Sequence, residues 1–246
     1  MALHHNARIP TDGLVVLYDA ADPRCYPGSG ITLYNLADSA TYPSVSLQAN
    51  YAEWGSISNG VVNIGGEGGA TQNGTYLNGL GNLGQTVTGS FTSIGWLYRT
   101  NNTDGEIFDY RGVGRRLTFD IYDSGMSFYQ REIVDNNADG SYNTANTSVS
   151  VVNNLNEWNC FALVKSGSQW SFYKDGQLLQ TNTFDFTEAD SYMNGSDYSI
   201  GIAWSDDDYP SRAMNGSIGP VLHYTRALSD QEILQVYNSH KGRYNA

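Results

Sequence analysis

Two cysteines stand in 246 residues, too few for a framework of bridges, so Cys25 and Cys160 read as free thiols suited to a reducing compartment. Zinc goes with them. Two thiols need histidine help, and the four histidines sit at His4 and His5 in the leader and at His223 and His240 near the C-terminus. Charge is scarce too, at 15% of residues against roughly a quarter in an average domain. It leans acidic, with 25 Asp and Glu against 13 Lys and Arg and a formal net charge of -12. That surface repels a phosphate backbone, which removes nucleic acid as a partner. No apolar run nears the ~20 residues of a membrane span, and MALHHNARIPTDG has no apolar stretch of signal-peptide length. The expectation is synthesis in the cytoplasm without a signal peptide and without membrane insertion. Catalytic signatures are missing: there is no Gly-x-Ser-x-Gly elbow, HExxH pair or Walker loop. GGEGG at 65–69, lacking lysine and Ser/Thr, reads as a flexible turn.

What is present favours strands. Apolar residues make up 40% of the chain and aromatic residues 13%, enough for a sizeable core. Apolar, β-branched and aromatic blocks recur between turn residues from GLVVLYDA (13–20) to GSIGPVLHYTRA (216–227), about ten strands in all, a spacing that fits two packed antiparallel sheets. QWSFYKDGQLLQTN is the clearest hairpin, with Asp175 and Gly176 forming a two-residue I′ turn. Trp158, Phe161 and Leu163 are expected in the core between the sheets. One helix is predicted at about 230–241: Ser229 and Glu232 form a capping box, Ile233, Val236 and Tyr237 share a face, and Gly242 offers a stop. Residues 1–12 read as an N-terminal leader or arm and 13–246 as one domain.

Three segments carry a family resemblance: GLVVLYDAADPRCYPGSG, NEWNCFALVKSGSQWSFYKDGQLLQT and MNGSIGPVLHYTRALSDQEILQVYNSHKGRY. They resemble the concanavalin A-like, laminin G-like jelly-roll domains, and their combination resembles the version found in virion structural proteins of tailed, cyanophage-type bacteriophages. The resemblance implies an all-β jelly-roll β-sandwich of two antiparallel sheets with a short C-terminal helix, Arg226 and the helix closing one end. It also implies a virion protein, either a capsid decoration or a tail fibre or tail-associated component, that meets other virion proteins in repeated copies. A shared fold does not fix an activity.

Within the wider superfamily some members are glucanases, and glycoside hydrolysis needs two carboxyl groups flanking the scissile bond. The nearest candidates lie in GEIFDYRG. Glu106 and Asp109 are three positions apart, so a regular strand sends them to opposite faces, with Arg111 where a second acid could have stood. The expectation is a protein that is not an enzyme and has no catalytic residues.

For calcium, DNNADGSYN places Asp135, Asn137 and Asp139 at alternate positions, then Gly140 and the Ser141 carbonyl, which is half of an EF-hand loop. Asn146 stands where the bidentate glutamate belongs, so the stretch is either a rim site completed by another loop or a polar turn. Asp206, Asp207 and Asp208 form the competing site, or a solvated charge run. Tyr142, Trp204 and Tyr209 border these loops and are the candidates for stacking on host surface glycan. A calcium-assisted carbohydrate-binding module and a glycan-degrading enzyme are the alternatives to the virion reading.

Overall fold

The computed structural model describes residues 8–49, 55–65, 75–80, 83, 89–101, 105–112, 115–122, 124–133, 142–184, 197–204 and 210–244. Among them the strands run β1 (Leu14–Tyr18), β2 (Thr32–Tyr34), β3 (Ser44–Ala49), β4 (Ser56–Ser58), β5 (Val61–Ile64) and β6 (Thr75–Leu80). β7 (Phe91–Arg99), β8 (Gly105–Gly112), β9 (Arg115–Tyr122), β10 (Gly125–Ile133), β11 (Tyr142–Ser150) and β12 (Trp158–Ser166) follow. The series closes with β13 (Gln169–Lys174), β14 (Gln177–Thr183), β15 (Asp197–Ile200), β16 (Ile202–Trp204), β17 (Pro210–Ala213), β18 (Gly216–Tyr224) and the helix α1 (Asp230–Tyr244). About ten strands were expected. The described residues hold more because short polar strands such as β4, which form no apolar block, pair across tight turns such as Asn59–Gly60, both at positive φ.

Two antiparallel sheets result. Sheet A has the order β14-β13-β12-β7-β18-β5-β4, and β1 also pairs with β18. Sheet B has the order β11-β10-β9-β8-β15-β6-β3-β2. β5 holds residues 216–218 of β18 and β1 holds residues 221–224, so the two strands share one edge of β18 and abut near Gly219 and Pro220. Proline has no N–H to give a ladder, and the register of β18 against β7 shifts between Ile218 and Val221.

The middle strands of sheet A are buried on both faces, which is why β7, β12 and β18 read as nearly continuous apolar runs. Alternate residues serve two cores. Phe91, Leu97, Phe161, Leu163, Trp170 and Phe172 face sheet B and meet Phe108, Phe119, Ile121 and Phe128. Ile94, Trp96, Cys160, Ala162, Tyr173 and Leu222 face the other way, under Ile233 and Val236 of α1. Trp158 belongs to this second set, which corrects its expected place between the sheets. It has the parity of Cys160, opposite to Phe161 and Leu163, and packs at a tilt against Tyr244 of α1 with ring centres 4.3 Å apart.

The helix thus covers the outer face of sheet A. Its start follows the capping box: the Glu232 amide donates to Ser229 Oγ at 3.3 Å, and Glu232 Oε2 accepts from the Ser229 amide at 2.9 Å. Arg226 braces the same carboxylate with two bonds of 3.1 and 2.6 Å and donates from Nε to the Asp12 carbonyl. The helix runs past the expected stop at Gly242 to Tyr244. Tertiary contacts override the glycine: Tyr244 packs on Trp96 at 4.9 Å, and both Arg243 Nη atoms donate to the buried Asp19 carboxylate. Replacing Ser229 by alanine is expected to cost about 1 kcal/mol, read as a lower urea midpoint at unchanged slope; a changed slope would mean more than the cap was lost.

Candidate functional site

The face of sheet B turned away from the core is polar in register. One residue from each strand lines up across the sheet: Thr32, Ser46, Asn78, Ser199, Asp109, Thr118, Tyr129 and Asn146. Beside this row run Glu106, Asp120, Ser127 and Ser148. On its other side the register places Asp197, Arg111, Arg116, Arg131 and Thr144, so three of the chain's 13 basic residues occupy adjacent strands.

The paired carboxylates depend on a bulge. Glu106 pairs with Asp120, but Phe108, rather than Ile107, pairs with Phe119, so β8 gains one residue against β9. Asp109 then pairs with Thr118. Asp120 and Thr118 are two positions apart and share a face, and so do Glu106 and Asp109. The expectation of opposite faces is corrected: strand parity holds only for an unbulged ladder. Ile107, the extra residue, is buried with Phe108 in the core.

Burial decides what this carboxylate pair can do. Glu106 is 2% and Asp109 0% exposed, and Ser199 and Thr118 beside them are equally closed. Asp120 and Ser127, by contrast, are half-buried and hydrogen-bonded to each other at 3.3 Å. The polar face is sealed over β15, β8 and β9 and opens toward β3 and β11, where Ser46 is half-buried and Asn146 exposed. Among the described residues no three His, Cys, Asp or Glu side chains lie close enough to share a metal ion.

Asp135, Asn137, Asp139 and Ser141 lie outside the described residues, as do Asp206, Asp207, Asp208 and Tyr209. Tyr142 begins β11 and Trp204 ends β16, where only their backbone is described. The register puts Tyr142 at the end of a strand pair opposite Ile133. Most of GGEGG is also outside the described residues. Cys25 and Cys160 are free and buried. Burial pushes the Cys25 thiol up to about 11 and raises Cys160 as well, so neither is a reactive thiolate at neutral pH.

Sequence reasoning missed a polar trio inside the sandwich. His223 Nδ1 lies 2.9 Å from Ser93 Oγ and 3.2 Å from the Tyr110 hydroxyl, and those two oxygens are 2.9 Å apart. The imidazole is fully buried, stacked on Phe91, and burial pushes its pKa down from 6.5 to about 3. Its signal was a histidine at a core-facing position of an apolar strand. It ties β18, β7 and β8 together and has no solvent access, so it is structural.

The geometry is that of a lectin-like sandwich, and the description "Concanavalin A-like lectin/glucanases superfamily" matches residues 59–234, well over half the chain. The chain belongs to this superfamily. Among solved structures it is similar to the binding domain of botulinum neurotoxin DC in complex with rat synaptotagmin II, at TM-score 0.62 and 12% identity, covering 94% of this chain and 52% of that one. The same domain in complex with SialylT matches at TM-score 0.59 and 13% identity, covering 93% and 52%. A botulinum neurotoxin type C structure described as interacting with two ganglioside molecules matches at 0.57 and 14%, covering 85% and 51%. Identities this low show a shared fold, and the chain spans about half the length of these solved domains. No curated protein sequence matches it.

Proposed function

We propose that this chain is a non-enzymatic carbohydrate-recognition module, carried on a tailed-bacteriophage virion as a capsid decoration or tail-associated component that contacts host surface glycan. The observation that carries the non-catalytic part is the sealing of Glu106 and Asp109. A hydrolase of this architecture needs both carboxyl groups beside a scissile bond and a water. Here the two share a face, but both are buried. The recognition part is supported by the superfamily and by the glycan ligands named for two structures of the same fold. The virion setting is supported by the resemblance of the terminal segments, which pair as β1 with β18 and lie beside α1.

A glycan array with and without EDTA tests recognition and also whether calcium, held by the loop at Asp135–Ser141 or the one at Asp206–Asp208, assists it. Binding in at least one condition is expected; silence in both would end the proposal. Glu106→Gln is expected to leave array binding unchanged, with no reducing ends released from cell-surface polysaccharide by either form. Turnover lost in Glu106→Gln would make the chain an enzyme. The virion setting predicts the protein in the mass spectrum of purified particles, and its absence there would refute that setting.

A further inference from the structure

The abutment of β1 and β5 on one edge of β18 has a chemical outcome. Where they meet, β1 leaves the sheet into the loop 19–31, and the β4–β5 turn arrives through Asn59 and Gly60. Between these two segments lies an open cleft of about 570 Å³, inside the range of about 300–1,000 Å³ typical of small-molecule sites. Its apolar surface comes from Ala20, Pro23, Tyr26 and Ile57, and its polar side chains are Ser58 and Asn59. Among the described residues no charged side chain lines it, although the chain as a whole carries -12.

Both walls are set before any ligand arrives. On one side the Asp22 backbone carbonyl accepts from the amides of Cys25 and Tyr26 at 2.9 Å each, the Asp19 carboxylate accepts from the Ala21 amide at 3.1 Å, and the Tyr26 hydroxyl donates to the Gly30 carbonyl at 3.2 Å. That bond spends the Tyr26 proton and holds the ring in place; the hydroxyl oxygen keeps acceptor capacity. On the other side Asn59 and Gly60, at φ 53° and 75°, form a two-residue hairpin turn. The walls touch at Gly60, where a Cβ would come within 2.9 Å of the Ala21 methyl. Asn59 is exposed at the turn tip and offers an amide with donors and an acceptor.

We infer that this cleft is a binding site for a neutral sugar residue at the end of a glycan, its apolar ring face against Tyr26 and its hydroxyls on Ser58 and Asn59. An aromatic face beside neutral donors and acceptors is the chemistry a pyranose needs. A sialylated or sulfated sugar finds no cation among the described lining residues to offset its charge. This inference rests on the recognition reading above and adds the place and the ligand class.

The test is an amide-shift NMR titration of the full chain with methyl glycosides of galactose, glucose, mannose and N-acetylglucosamine, beside the glycan array. Shifts are expected at Ser58, Asn59 and Gly60 for at least one of these probes. Asn59→Gly removes the amide yet suits the positive φ, and Ser58→Ala is at an exposed position, so both variants should fold. Together they are expected to weaken binding about tenfold or more, the equivalent of one good hydrogen bond lost. Array binding by the wild type that survives both substitutions, with shifts mapping elsewhere, would overturn the cleft and leave recognition standing. Binding confined to anionic glycans would overturn the ligand class. An array silent for the wild type would remove the recognition reading and the cleft with it.

Discussion

Trp170→Ala is expected to destabilise the protein by about 3–5 kcal/mol, the range for deleting a buried tryptophan. The indole is fully buried where sheet A meets sheet B, 4.5 Å from Phe128 of the opposite sheet and 5.8 Å from Phe91 on its own. Lys165 Nζ lies 5.8 Å over the ring, and the indole N–H donates to the Phe184 carbonyl at 3.2 Å. Removing it opens a void between the sheets and removes the bond to the Phe184 carbonyl. Against a total stability of about 5–15 kcal/mol, the loss consumes a large share. Guanidinium unfolding at pH 7 measures it, with Leu178→Ala at the exposed edge of β14 as the control, where the change should stay within about 0.5 kcal/mol. Equal losses at the two positions would contradict this account of the core.

The second large effect is one of pH. Because burial lowers His223 from 6.5 to about 3, the unfolded chain binds a proton at this ring across a window where the folded chain does not. Its contribution is complete above pH 6.5 and is lost progressively as pH falls toward 3. At 1.36 kcal/mol per pKa unit the whole window corresponds to about 4–5 kcal/mol. Glu232 follows the same sign in a lower window: its bonds to Arg226 hold it down to about 2 from 4.5, so its contribution fades between those values. His240, also lowered by burial, adds to the upper window. His223→Gln should therefore be less stable than wild type at pH 7, having lost the stack on Phe91, yet show a shallower fall between pH 6.5 and 4.5. Urea midpoints at pH 7, 5.5 and 4.5 read both, and an unchanged slope would contradict a neutral, buried His223.

What the sequence made legible were the features encoded by neighbours along the chain. The Asp175–Gly176 turn, both residues at positive φ, and the Ser229–Glu232 box follow from local backbone rules, and both appear as expected. The features it hid are those that need a second strand to define them. A bulge is a mismatch of two ladders, so nothing within GEIFDYRG announces that Glu106 and Asp109 share a face. The face of Trp158 follows from parity once Phe161 is placed inward, and reading all three into one core ignored the period of two. Gly242 was a correct local signal, outweighed by Tyr244 on Trp96 and by Arg243 on Asp19. The cleft was invisible because Tyr26 and Asn59 become neighbours only through β18. The candidate calcium loops lie outside the described residues, so they stand as the sequence left them.

The position of β18 has a consequence for how the molecule is made. It is the last of the described strands, yet β1, β5 and β7 all hydrogen-bond to it. A ribosome releases the chain from its N-terminus, so sheet A cannot close until Tyr224 has emerged. Until then β1 has only the 35–38 segment to bond with, and one edge each of β5 and β7 stays open to water and to other nascent chains. Premature termination anywhere before Gly216 should thus yield an aggregating fragment rather than a smaller folded domain.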